Sequence, residues 1–497
     1  KNFLFASDEV LKSNKNNVYV RSKIIQSKLF FKDIGNQSLV CKIINIAPEK
    51  YVPLVYDVLL AIFCFSDDKI RQYHFHELLD YYYKMLEENL HNIDLSITTI
   101  LPREKYDIQI KTFIPYIKLD KLYCYFRAFS QKVKAVNGAE LKMNIQNFLS
   151  TNKRYENLIF PMILEVYECI LYPNLSREDC YKIIRNKIGA CEYEFLIWKL
   201  TPVDQRSGFL GDYFNLKINI KQDNENKTLH LFAKYLPTTN DVSIEMATAS
   251  FNKERFFYGT FMSELKSLGL DDIIDFPPKC YFSRSNDVLI FEDISLLNYS
   301  SFKPHEALPY ETLQVVIKQL AKFHACSFLY EEIITERTGQ LVRIDDKYKK
   351  YVKEIFIQNE VESANQKIIS CAIHAVLNYV LDEFPDIPKK ITMDAFKSTV
   401  TEAFNLLYEK LYTYEEFLES CNYMKSAGIC IASLYMQLTL YPFEKLQEFI
   451  CDNKKLTHLF TVDRKEILDE MHRSEMYRQR FKEIVEDLYD VCVNDRM

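Results

Sequence analysis

GDYFNLKINI (Gly211–Ile220) and LHLFAKYLP (Leu229–Pro237), joined across the polar run DNENK, decide the fold. Both alternate apolar and polar residues with period two, the pattern of half-buried strands, and DNENK carries the residue types of a turn. Ahead of them YEFLIWKLTP (Tyr193–Pro202) reads as a strand of the same meander, entered through a turn at GFLGDY (Gly208–Tyr213). Lys234 sits inside the third strand, where an ammonium needs a polar destination because an unpaired buried charge is costly. FNKERFFYGTFMSEL follows as a helix that carries Glu254. Downstream, PPKCYFSRSNDVLIFEDIS holds two strand-like pieces around a turn at Ser285-Asn286 and ends on Glu292-Asp293.

Long helical patterns flank this block. ETLQVVIKQLAKFHACSFLYEE and ANQKIISCAIHAVLNYVLDEF follow it, and His324 and His374 in them read as satisfied core histidines on apolar faces. Tyr155–Cys169 and Tyr477–Val491 align position by position, Tyr155 with Tyr477, Ile163 with Val485 and Glu165 with Asp487, as amphipathic helices. With a looser match between Tyr106–Lys118 and Tyr414–Lys425, the pattern suggests duplication. A second unit then opens near Pro173, where Ser176, followed three residues later by Asp179, forms a short capping box.

Composition narrows the function classes. The 497 residues are 48% hydrophobic and carry a net charge of −6, which excludes wholesale disorder and gives no global nucleic-acid footprint. Glycine is scarce, 9 residues, so a helix-rich α+β chain is expected. The 13 cysteines include no CxxC pair and read as reduced thiols of a cytoplasmic protein rather than a zinc site or disulfide framework. The longest apolar stretch, Tyr51–Phe65, is interrupted by Asp57 and falls short of the roughly twenty residues of a spanning helix, so no membrane span is expected. The chain begins at Lys1 rather than methionine, which leaves a removed leader open. His74 and His76 lie two apart, on different sides of a helix, and lack metal-ligand spacing.

Together GFLGDYFNLKINI, FAKYLP, FNKERFFY, PKCYFSRSNDVLIFEDIS and LAKFHACSF resemble the insect ecdysteroid kinase-like family, small-molecule kinases related in fold to aminoglycoside and choline kinases. The resemblance implies a protein-kinase-like bilobal fold. It assigns Lys234 as the phosphate-contacting strand lysine and Glu254 as its helix partner. Glu292 would mark the hinge, and Gly208 and Gly211 the phosphate-covering turn. Residues 1–172 resemble the back half of such a kinase without its nucleotide lobe; 173–300 resemble the nucleotide lobe, and 301–497 a helical lobe lacking the catalytic-loop segment. The fold is thus expected to be duplicated and incomplete.

The chemistry departs from the family. Arg21-Ser22-Lys23 stands where an HGD would be, Lys28 where the loop asparagine would be, and Asn45 where a metal-binding aspartate would be. Lysine neither serves as that base nor binds a hard cation, and asparagine is a weak substitute for a carboxylate. The reading is a pseudokinase with no catalytic residues and no metal site. ATP remains a candidate ligand while magnesium loses its asparagine and aspartate ligands; an apolar small molecule and protein partners complete the expectation, with no nucleic acid. The alternative is an active ATP-dependent kinase acting on a steroid or other apolar alcohol.

Overall fold

The computed structural model describes residues 20–22, 29–33, 39–43, 48–51, 53–130, 153–172, 174–203, 211–237, 243–300, 302, 308–352, 364–378, 380–387, 392, 394–396 and 414–494. Packing divides the chain into two compact units. One comprises Lys1–Lys199, Lys217–Leu229 and Tyr281–Ser285; the other comprises Leu200–Leu216, His230–Cys280 and Asn286–Met497.

In the first unit, strands β1 (Val20–Ser22) and β4 (Pro48–Tyr51) pair antiparallel, as do β2 (Leu29–Asp33) and β3 (Leu39–Ile43). Helix α1 (Leu54–Phe65) begins after Pro53, and α2 (Asp68–His91) is capped by the Asp67 carboxylate, which accepts from the Ile70 N–H at 2.7 Å. The apolar run that the sequence singled out as too short to span a membrane is a core helix. Val55, Leu59, Ile62 and Phe63 of α1 pack with Phe75 and Leu79 of α2 and with Phe113 and Ile117 of α3 (Arg103–Ser130). No helix among the described residues is long and apolar enough to cross a membrane.

Helix α4 (Lys153–Leu171) contributes Glu165, which meets Arg71 at 3.1 Å, both buried. Helix α5 (Arg177–Ile188) opens with the capping box signalled by Ser176 and Asp179, both reciprocal bonds being present. Its next residue inward, Glu178, pairs with Lys118 at 2.9 Å, each side chain 1% exposed. Asp179 also receives Arg284 at 2.6 Å. Three of the four buried lysine and arginine side chains of this unit thus face a carboxylate; the fourth, Lys121, has its pKa lowered by burial.

A five-stranded sheet has the order β5-β6-β7-β9-β8, formed by β5 (Glu194–Pro202), β6 (Asp212–Gln222), β7 (Glu225–Tyr235), β8 (Cys280–Arg284) and β9 (Val288–Glu292). DNENK makes the expected turn: Asp223 and Asn224 both take positive φ, 53° and 63°, the conformation of the tight hairpins that suit strand twist. β7 and β9 run antiparallel with Lys234 opposite Leu289.

In the second unit α6 (Ser243–Arg255) begins earlier than the sequence suggested and does not run straight on. A π-turn over Phe256–Phe261 separates it from α7 (Met262–Ser267). That turn is aromatic, and Phe256 stacks on Tyr351 with ring centroids 4.9 Å apart. Helix α8 (Tyr310–Thr338) leaves Leu313, Val316, Ile317 and Leu320 exposed. Helices α9 (Ala364–Asn378), α10 (Tyr414–Thr439), α11 (Phe443–Cys451), α12 (Asn453–Thr461), α13 (Lys465–Arg473) and α14 (Glu475–Tyr489) share one core with Ile373, Val376, Cys430, Leu459, Ile467, Phe481 and Val485.

The two helices read as repeats are both helical, but their aligned positions sit in different surroundings. Val485 is buried where Ile163 is exposed, and Glu165 is buried where Asp487 is exposed. The histidine expectation is overturned: His324 and His374 are both exposed, on the outward sides of α8 and α9. Cys169, Cys180, Cys191, Cys326, Cys371 and Cys421 are free thiols.

Candidate functional site

The candidate site forms where β7 faces α6. Burial alternates along the end of β7: Leu231, Ala233 and Tyr235 point into the core while Phe232 and Lys234 share the more open face. Lys234 Nζ reaches both carboxylate oxygens of Glu254, at 2.6 and 2.7 Å, so the lysine of the third strand has found its polar destination on the following helix. The lysine side chain is 13% exposed and the glutamate 35%, leaving the pair accessible from one side.

Gly211 lies against the lysine. A Cβ there would lie 3.1 Å from Lys234 Cε, 3.2 Å from its Cγ and 3.3 Å from the Tyr213 ring. The missing side chain thus lets the backbone of the β6 entrance approach the lysine, a use of glycine that needs no unusual φ. Tyr213 stacks on Phe232 beside it, centroids 5.7 Å apart and planes 25° from parallel. Tyr258, one turn beyond Glu254, packs edge-on against Phe291; burial and the nearby Glu254 charge push its phenol up to about 12, so it stays protonated at neutral pH.

At the end of β9, Glu292 is tied on both counts to the strand opening at β8. Its N–H donates to the Lys279 carbonyl at 2.9 Å, and its carboxylate accepts from the Lys279 N–H at 2.8 Å. Asp293 then caps a short 3₁₀ turn over Ile294–Leu297 by accepting from the Ser295 N–H at 3.1 Å. The chain leaves the sheet at a fixed point, stapled by one side chain.

The structure therefore brings Gly211, Lys234 and Glu254 together, with Glu292 as the anchor of the strand end. Gly208 lies outside the described residues, as do Lys23, Lys28 and Asn45. Arg21 falls in β1, whose backbone alone is described. Two contributors escaped the sequence reading. Phe232 was legible from its period-two relation to Lys234. Lys279 acts through its backbone, which no residue type advertises.

Residues 205–418 match the ecdysteroid kinase-like family. The match covers under half of the 497 residues and implies a kinase-like fold for that segment. It begins just ahead of Gly208 and contains the whole Gly211–Lys234–Glu254–Glu292 set; residues 1–204, including Arg21, Lys23, Lys28 and Asn45, lie outside it. No match was found among curated proteins or among solved structures.

His74 and His76 take separate partners: His74 Nδ1 lies 2.7 Å from Glu77, and His76 Nε2 lies 3.2 Å from the Glu178 carbonyl. Among the described residues no group of three or more His, Cys, Asp or Glu side chains is placed to hold a metal.

Proposed function

We propose that the ecdysteroid kinase-like segment of this chain binds a nucleoside triphosphate and that the protein acts as a pseudokinase, a binding or scaffold protein built on a kinase-like lobe. The observation that carries the reading is the Lys234–Glu254 pair, with the Gly211 backbone close against the lysine. The residues suit the phosphate end of a nucleotide: Lys234 supplies a point charge, Glu254 fixes its direction, and Gly211 leaves backbone where a side chain would block approach. A strand lysine held by a helix glutamate before ligand arrives costs little reorganisation on binding.

Magnesium does not fit in the same way. The positions where the resemblance would put its ligands read Lys28 and Asn45, and Lys23 stands in place of the acceptor-orienting aspartate. A lysine ammonium repels the cation, and an asparagine amide is a poor replacement for the metal-binding aspartate. No phosphoryl-transfer step is therefore derived, and the nucleotide would serve as a bound ligand stabilising one conformation.

The test is calorimetric titration of the purified chain with ATP, with and without magnesium, beside Lys234→Ala. The expected result is binding that Lys234→Ala abolishes and that magnesium changes by less than threefold. No heat at millimolar ATP would refute nucleotide binding. Phosphotransfer to ecdysteroids or another alcohol would refute the pseudokinase part and leave the nucleotide site standing.

A further inference from the structure

The two histidines that sequence reading placed in the core are exposed, and one of them lines a cleft. Ser370, His374 and Asn378 follow one another at i, i+4 and i+8 on α9, which places all three polar side chains on one helix face. That face, with Thr461, Asp463 and Arg464 from the segment joining α12 to α13, borders a cleft of about 390 Å³. The volume falls within the range of small-molecule sites.

Arg464 is the unusual member. It is 3% exposed, and the groups that face it are the Cys371 thiol, which also lines the cleft, the Tyr477 phenol and the amide and carbonyl oxygens below. Nη1 donates to Gln437 Oε1 at 3.1 Å and to the Leu434 carbonyl at 3.4 Å, and the guanidinium carbon lies 5.8 Å from the Phe460 ring centre. Nε, fully buried, has no hydrogen-bond partner. No carboxylate among the described residues lies within ion-pair distance of Arg464. Its neighbour Asp463 borders the same cleft, but there its Oδ1 accepts from the Lys465 N–H at 2.8 Å, at the start of α13. Burial holds Arg464 below the ordinary arginine range, the direction expected of a cation whose surroundings do not compensate it. In the other unit the buried arginines, Arg71 and Arg284, and Lys118 each meet a carboxylate, and only Lys121 shares the burial-lowered pKa of Arg464 among the buried lysines and arginines described there.

We propose that this cleft is a second ligand site, which takes the phosphate group of a small phosphomonoester with Arg464 as its charged anchor and Ser370, His374 and Asn378 as surrounding donors. A buried guanidinium without a counter-ion is satisfied most economically by an anion supplied from outside. Donors arrayed along α9 and opposite it match the several oxygens of a phosphate better than the two of a carboxylate. The remaining volume accommodates the group to which the phosphate is esterified.

Calorimetric titration of the full chain with inorganic phosphate tests this, with chloride holding ionic strength constant and acetate as the comparison anion. The expected result is saturable phosphate binding that acetate does not match, weakened at least tenfold by Arg464→Met and by His374→Ala but retained in Lys234→Ala. Retention in Lys234→Ala separates this cleft from the proposed nucleotide site, so either proposal can fail alone. His374 is exposed, so its replacement tests the site even if Arg464→Met does not fold. Absence of phosphate-specific binding, equal binding of acetate, persistence of affinity in His374→Ala, or loss only in Lys234→Ala would each overturn the proposal.

Discussion

Replacing Glu178 by glutamine tests how the first unit is held together. Glu178 of α5 and Lys118 of α3 form a 2.9 Å pair in which each side chain is 1% exposed. Glutamine keeps the volume and removes the charge, leaving a buried ammonium. Breaking a buried pair from one side costs about 3–5 kcal/mol. The Phe63 ring, 5.6 Å from Lys118 Nζ, faces the ammonium with or without the carboxylate and cancels in the difference, so the expected loss stays at about 3–5 kcal/mol. The double replacement Lys118→Met/Glu178→Leu removes both charges and should cost less than about 1.5 kcal/mol. Trp198, the chain's only tryptophan, is buried in the same unit against Tyr172 and Phe195, so its fluorescence in a urea titration reports that unit's unfolding. The pH dependence has a definite sign. The Glu178 charge raises the Lys118 pKa above its ordinary 10.5, so the native state holds its proton more tightly than the unfolded chain does. The contribution is complete below about pH 10.5 and is lost as pH rises through the elevated value. A loss under 1 kcal/mol for Glu178→Gln, or a double variant as unstable as the single one, would refute the reasoning.

Two further perturbations probe the candidate site and the acid limb. Gly211→Val should weaken ATP binding about tenfold, roughly 1.4 kcal/mol, with little change in melting temperature, because its Cβ would meet Lys234 at 3.1–3.2 Å and turn the ammonium from Glu254; unchanged calorimetric affinity would remove the glycine from the site. His76, buried beside Phe282 and the Glu178 carbonyl, has its pKa lowered by burial to about 4. Below pH 6.5 the unfolded state binds more protons than the native state, so stability should fall between pH 6.5 and 4, on the order of 3 kcal/mol. His76→Asn should flatten that part of the Trp198-monitored stability profile, and an unaltered slope would count against the assignment.

The strands were the most legible part of the fold because period-two alternation is a local property. Leu231, Ala233 and Tyr235 against Phe232 and Lys234 gave both the strand and the face that carries the lysine. Capping was equally local: Ser176 and Asp179 satisfy each other within one turn. The partner of Lys234 was legible only through resemblance, since nothing in the spacing of Lys234 and Glu254 requires that α6 fold back on β7. Lys279 was not legible at all. Its role is a backbone N–H and carbonyl, shared by every residue except proline.

The histidines show the opposite failure, and its cause is physical. A histidine flanked by apolar residues in sequence reads as lying on an apolar face, but helical neighbours point about 100° apart, so Ala375 and Val376 enter the core while His374 looks outward. The residues that share its direction are Ser370 and Asn378, four positions away on either side, and all three are polar. Read at helical spacing, the stretch gives a polar stripe on an otherwise buried helix. Such a stripe is expected at a surface, and on its own it would mean no more than solvent. Arg464 changes that reading, because the residue is 3% exposed and no carboxylate among the described residues pairs with it. The buried cation and the polar stripe come from segments some ninety residues apart and meet at one cleft. What the sequence could not show was therefore neither residue type nor periodicity but the juxtaposition, and that juxtaposition is what turns an exposed histidine into part of a proposed site.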